Sequence, residues 1–186
     1  MGSADRSVVA ASQYTFEALA QIYNQGRVDY IVPMPMNARR MEEYVRFYDV
    51  ALDASVVTLN GDAEETGIGM LGRRDARCWV TRLGVIPERR GHKVGQFIME
   101  TLLTLGKDRG ATLAQLEVIT GNEPAHRLFR KLGFEPRRDL LIIRRPPGAV
   151  KDRLPAYTPL APEDIPLCLA QRPDQASWLD ETPSLL

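Results

Sequence analysis

Arg89, Arg90, Gly91, His92, Lys93, Val94, Gly95 and Gln96 gather three cations and two glycines into eight consecutive residues. Binding an anion is the chemistry they suit. Upstream, Arg77 to Ile86 is rich in β-branched and aromatic side chains, and Pro87 removes the donor that would extend a ladder. Downstream, Val94, Phe97, Ile98, Leu102 and Leu105 recur at three- and four-residue spacing, one face of an amphipathic helix. The basic turn therefore sits at a helix N-terminus, where unpaired backbone N–H groups and the positive dipole end favour phosphate. Gly91 and Gly95 would admit a ligand close to the backbone, and Arg89, Arg90 and Lys93 would add charge. Taken alone, the stretch reads equally well as a solvated basic turn.

A second stretch shifts that balance. Leu116-Glu117-Val118-Ile119 reads as a short strand, followed by Gly121-Asn122-Glu123-Pro124-Ala125-His126-Arg127-Leu128-Phe129-Arg130-Lys131-Leu132-Gly133-Phe134. The pair resembles the GNAT superfamily of acyl-CoA-dependent N-acetyltransferases over roughly residues 50 to 145. Arg90 to Gly95 is similar to that family's Arg/Gln-x-x-Gly-x-Gly/Ala coenzyme motif. Asn122, Ala125, Leu128, Phe129, Leu132, Gly133 and Phe134 resemble its Asn-x-x-Ala…Leu-Tyr…Leu-Gly-Phe segment. Two motifs in the right order are more specific than either alone. Lys93 departs from the pattern where the family has its middle glycine, and Phe129 where many members have a tyrosine that protonates the departing thiolate. A tyrosine acid at that position is excluded.

The resemblance implies acetyl-CoA as co-substrate. Its pyrophosphate would lie on Arg90, Gly91, His92, Lys93, Val94, Gly95 and Gln96, and its pantetheine arm along exposed backbone of Leu83, Gly84 and Val85. Asn122 and Phe129 would stand beside that arm, although an asparagine before a helix also reads as a cap. The acceptor would be a primary amine of a small molecule or protein, with Tyr30 to Met36 walling its site. Glu117 is the sole carboxylate within either cleft-forming strand and faces opposite to Leu116 and Val118, so it is the candidate base acting through water. The same residue also reads as a solvated or ion-paired strand glutamate. Backbone N–H groups near Val85 could stabilise the oxyanion. A second functional class stays open on Lys93 and Phe129: a non-catalytic module of the same fold that senses acyl-CoA or packs against a partner.

Positioning these residues requires a mixed α/β fold, with a mostly antiparallel central sheet, one parallel crossover and flanking helices. Thr15 and Asn37 are N-cap residues for helices carrying Phe16, Leu19, Ile22 and Tyr23, and Met41, Tyr44, Val45 and Tyr48. Tyr23 and Tyr44 read as ordinary core. Residues 55–59, 66–71 and 77–86 form a meander, and 113–119 pairs in parallel through the crossover helix. Leu140-Leu141-Ile142-Ile143 reads as a buried strand closing the domain. Val8 and Val9 make a short edge strand at most.

The chain has 186 residues, 44% hydrophobic and 26% charged, with 24 basic and 24 acidic side chains and no net charge. That balance argues against a general nucleic-acid or membrane-surface binder. Cys78, Cys168, His92 and His126 form neither a disulfide framework nor a metal pattern. With no secretory h-region, a cytoplasmic location is expected. Residues 1–148 read as one domain and 149–186 as an extension after the Pro146-Pro147-Gly148 break, either a docking arm or the start of a second unit in a tandem protein. Residues 157–165 look like a strand running into a helix. The extension holds Leu160, Ile165, Leu167, Trp178 and Leu185, which would be buried on the same chain, a missing domain or a second copy. A homodimer by exchange of these tails is the expectation.

Overall fold

The computed structural model describes residues 6–142, 158–172 and 176–185. Edge strand β1 (Ser7–Ala10) leads to helices α1 (Phe16–Gln25) and α2 (Ala38–Phe47). Thr15 Oγ1 accepts the Ala18 N–H at 3.2 Å, and Asn37 Oδ1 accepts the Arg40 N–H at 2.9 Å, so both expected caps are made. Strands β2 (Val56–Leu59), β3 (Glu65–Arg74) and β4 (Arg77–Val85) follow, then α3 (Val94–Asp108), β5 (Leu113–Leu116) and α4 (Glu123–Lys131). The sheet order is β1-β2-β3-β4-β5, antiparallel except for the parallel β4–β5 pair.

Each face of the sheet has its own core. Leu71, Cys78 and Val80 point toward Ile98, Met99 and Leu102 of α3. Val57, Ile68, Met70 and Trp79 point toward Leu19, Tyr23, Met41 and Tyr44 of α1 and α2. Burying each such side chain stabilises the fold by roughly 1.5–3 kcal/mol. The closest approach is at Gly69, where a Cβ would come within 2.4 Å of Ile98 Cγ2. Glycine there lets α3 lie directly on β3.

Two irregularities shape the region where the sheet opens. Opposite Gly69, β4 contributes both Arg82 and Leu83, because the register moves from Met70↔Thr81 to Ile68↔Gly84. Arg82 takes up the bulge with a left-handed φ of 52°. The β4–β5 ladder runs only from Arg77↔Leu113 to Val80↔Leu116, so the rest of β4 parts from the chain leaving β5. The expected strand through Ile119 thus stops at Leu116.

Expectations for the C-terminal third need correction. Leu140, Leu141 and Ile142 form no strand and are exposed, the last two at 86% and 82%. An apolar run specifies burial only if a ladder partner exists, and no described strand pairs with the outer edge of β5. Ile143 and the Pro146-Pro147-Gly148 break lie outside the described residues, as do Leu154, Tyr157 and Leu186. Residues 158–161 carry no strand. They enter a 3-10 turn and then α5 (Ile165–Ala170), and the chain finishes in α6 (Thr182–Leu185).

The tail docks on its own chain. Trp178 is fully buried, and its Nε1–H donates to the Tyr48 carbonyl at 2.9 Å. Arg74 donates to Asp49 at 2.7 Å, to Glu181 at 3.1 Å and to the Trp178 carbonyl at 2.8 Å, while Arg77 forks onto Glu181 at 2.7 and 3.0 Å. Among the described residues no helix is long and apolar enough to cross a membrane.

Candidate active site

The turn entering α3 lies beside the place where β4 and β5 part. A 3-10 turn over Pro87–Arg89 is followed by Gly91 at φ 79° and Lys93 at φ 64°, so two of three consecutive residues are left-handed. Helical bonding begins when the Phe97 N–H donates to the Lys93 carbonyl, and the Lys93 side chain makes no capping hydrogen bond. The N–H groups of Val94, Gly95 and Gln96 therefore have no intrahelical acceptor. They form a donor set that fits a diphosphate.

The side chains around this set differ from expectation. Arg90 folds back instead of pointing into the turn. Its guanidinium donates to Asp29 Oδ2 and Oδ1 at 2.6 and 2.7 Å, to the Gly26 carbonyl at 3.1 Å and to the Val85 carbonyl at 3.1 Å. The hydrogen bond from Arg90 holds the Asp29 carboxyl below its ordinary pKa and holds the guanidinium in its charged form. Arg90 thus fastens the end of α1 to the end of β4. Arg89 pairs with Glu64 at 2.7 Å. Of the three cations, Lys93 alone makes no salt bridge among the described residues. His92 is exposed; its Nδ1–H donates to the Arg90 carbonyl at 2.9 Å, and its own carbonyl accepts from Arg6.

Gly95 leaves room for a small side chain. A Cβ there would make ordinary 3.6 Å contacts with Leu128 and Val85, so an alanine fits. Gln96 accepts from Lys131 Nζ at 2.8 Å, which ties α3 to α4. Leu83 and Val85 pack partly buried against the α3-side core, while Gly84 is buried in the ladder opposite Ile68. Beyond Val80, β4 has no partner on its β5 side among the described residues, so its backbone from Leu83 to Val85 borders the opening between the two strands. Asn122 caps α4, its Oδ1 accepting the Ala125 N–H at 3.3 Å. Phe129 is buried against Phe134 with ring centroids 6.0 Å apart, so its ring belongs to the core under α3.

Glu117 immediately follows the last β4–β5 pair. Leu116 and Val118 turn to the α3 core, and Glu117 turns to the opposite face, as alternation requires. Trp79 Nε1–H donates to its Oε2 at 2.6 Å. The residue as a whole is exposed, while its carboxyl lies beside the Trp79 indole, the Trp178 backbone and Asp180. Desolvation pushes its pKa up; bonding from Trp79 and the Trp178 backbone opposes the shift, and Asp180 adds to it.

Residues 19–134 match the Acetyltransferase (GNAT) family. The chain belongs to this GNAT family. A Bacillus subtilis (strain 168) protein with the provisional name ribosomal protein bS18-alanine N-acetyltransferase is 33% identical over 57 residues, 31% of this chain and 38% of that relative. The match thus spans less than two thirds of the relative's length. Among solved GNAT structures, the ribosomal-protein-S18-alanine N-acetyltransferase of Escherichia coli superposes with TM-score 0.58 at 14% identity, covering 72% of this chain and 79% of the other. Salmonella typhimurium yncA, solved with its cofactor acetyl-CoA, gives TM-score 0.55 at 17% identity over 70% and 80%. At these identities the two structures speak to the fold.

A cluster on the α1/α2 face of the sheet carried no strong signal in the sequence. Tyr23, read as plain core, lies under both Arg27 and Arg82, and Tyr44, read the same way, lies under Arg82. Arg27 also lies over the Tyr30 ring at 3.7 Å, which brings the Tyr30–Met36 loop to this cluster. Asn24 holds the far end of that loop by bonding both backbone groups of Met36, at 2.8 and 2.9 Å. The available signal was an arginine set among apolar strand residues at position 82.

Proposed function

We propose that this chain transfers an acetyl group from acetyl-CoA to a primary amine of a small molecule or protein. One observation carries the reading: the parting of β4 from β5 opens onto the uncapped N-terminus of α3, so a free strand edge and free N–H donors border one cleft. The pyrophosphate lies on the N–H groups of Gly91 to Gln96, and the pantetheine arm follows Leu83 to Val85 as an added strand would. An N–H near Val85 steadies the developing oxyanion. Arg90 acts in this arrangement by setting the turn against Asp29, and Asn122 by starting α4.

Glu117 takes the amine proton through water. Its partial desolvation supports this role, because a raised pKa gives a better acceptor than an exposed carboxylate. With Phe129 in the core, the leaving thiolate takes its proton from solvent. The acyl-CoA-binding domain is residues 1–148, and 149–186 is an arm docked on it. Trp178 is buried on its own chain, so tail exchange between two copies would have to be driven by exposed Leu160, Leu167 and Leu185.

The alternative is a non-catalytic acyl-CoA-binding module, favoured by Phe129 and by the left-handed Lys93. Thiol release from acetyl-CoA, measured over a panel of primary amines and amino-terminal peptides, separates the two. Amine-dependent release is the expected result. Saturable acetyl-CoA binding with no release on any member contradicts transfer.

A further inference from the structure

Arg27 and Arg82 converge from different elements on one phenolic oxygen. Each donates through Nη1 to Tyr23 Oη at 3.2 Å. Tyr23 lies under both guanidinium groups, each 5.3 Å from its centroid, and Tyr44 lies 3.9 Å from that of Arg82. The Nε atoms of both arginines are buried and have no hydrogen-bond partner among the described residues. Neither arginine is in a salt bridge there, whereas Arg74, Arg77, Arg89, Arg90 and Arg109 each hold a carboxylate.

Two adjacent guanidinium groups repel each other, and aromatic faces offset only part of that cost. A buried N–H without a partner adds to it. Arg82 also occupies a left-handed backbone conformation at the bulge, a strained placement of the kind that persists where the surroundings impose it. An oxyanion beside the two guanidinium groups would relieve the charge repulsion, accepting charge-assisted bonds from the N–H groups that Tyr23 does not engage. Arg82 is one residue from the free strand edge at Leu83 to Val85, so an anion held here lies close to the acyl path.

We infer that Arg27 and Arg82 form an anion subsite that selects a small acceptor amine carrying its own carboxylate or phosphate. The inference rests on the transferase reading for the word acceptor, but the anion site stands on the geometry alone. It names two specificity residues, one from the end of α1 and one from the β4 bulge.

The test has two readouts. First, acetylation of β-alanine and phosphoethanolamine is compared with that of β-alaninamide and ethanolamine. The anionic member of a pair should show kcat/KM at least about tenfold higher, the scale of hydrogen bonds to charged groups. Which pair shows the larger ratio distinguishes carboxylate from phosphate. Arg82→Gln and Arg27→Gln should each collapse the ratio toward one, and Arg82→Lys should restore part of it, with acetyl-CoA affinity retained. Second, the 15Nε signals of Arg27 and Arg82 are followed during titration with inorganic phosphate, and both should move saturably. Shifts without any acetylation would keep the subsite and defeat the transferase reading. Equal rates within each pair together with unmoved 15Nε signals overturn the subsite, as does faster acetylation of an uncharged amino-terminal peptide than of any anionic small amine.

Discussion

Trp178 stacks on Trp79 with ring centroids 5.7 Å apart and planes within 16° of parallel. Trp79 Nε1–H meanwhile holds the Glu117 carboxylate. One indole therefore links the end of the chain to the candidate base. The tail also reaches Glu117 through the Trp178 backbone and the charge of Asp180, so losing it should be felt both in stability and in acid–base behaviour.

Trp178→Ala empties a fully buried site and frees Arg74 from the register of its bonds to the tail. It should destabilise the fold by about 3–5 kcal/mol, the range for removing a large buried aromatic ring. Equilibrium denaturation checks this; a loss below about 1 kcal/mol would mean that the tail is only laid on the surface.

Tail docking should also depend on pH. Desolvation works to raise the Glu181 pKa, but hydrogen bonds from Arg77 and then Arg74 outweigh it, and the value falls below that of a free glutamate. A depressed folded-state pKa gives stability that is present above the unfolded value of about 4.3 and lost as pH falls through the folded one. The near-ultraviolet signal of the Trp79–Trp178 pair should therefore fade in that acidic window. Glu181→Gln should weaken docking at neutral pH and flatten the acid dependence, and an unchanged acid transition in that variant would refute the assignment.

Lys93 keeps a side chain at φ 64°. Lys93→Gly should stabilise the chain by roughly 0.5–1 kcal/mol, the left-handed penalty less the added freedom of the unfolded glycine. For this chain length that is a rise in Tm of a few degrees, roughly 2 °C. A fall in Tm would show that the lysine side chain stabilises the turn by more than its backbone strain costs.

Glu117→Gln should lower kcat and change the acidic limb of the pH–rate profile, with little effect on acetyl-CoA affinity. The raised pKa moves that limb toward higher pH than an unperturbed glutamate would give. The same shift means that ionised Glu117 opposes folding as pH rises past its unfolded value, so the glutamine variant should be no less stable at neutral pH. A profile identical to the wild type would leave desolvated amine and backbone donors as the catalytic apparatus.

Much of the fold was legible because its signals are local. Thr15, Asn37 and Asn122 announce their helices through side chains that cap three residues on, and the heptad-like spacing from Val94 marks α3. The glycine-bearing turn that opens α3 was legible for the same reason. The Arg82–Leu83 bulge was not, since a register shift depends on the partner strand and leaves alternation in β4 nearly intact. Arg90 and Asp29 are 61 positions apart, and Trp79 and Trp178 are 99, so no local pattern could pair them. Leu140 to Ile142 misled because hydrophobicity alone cannot supply a neighbouring strand.

Acetyl transfer by this chain requires coenzyme binding at the start of α3. The most direct measurement is a titration of the full chain with acetyl-CoA, followed by backbone amide resonances. Saturable one-to-one binding is expected, with the largest shifts at Gly91, Val94, Gly95 and Gln96 and smaller ones from Leu83 to Val85. No saturable change, or shifts confined to residues away from this turn, would contradict it.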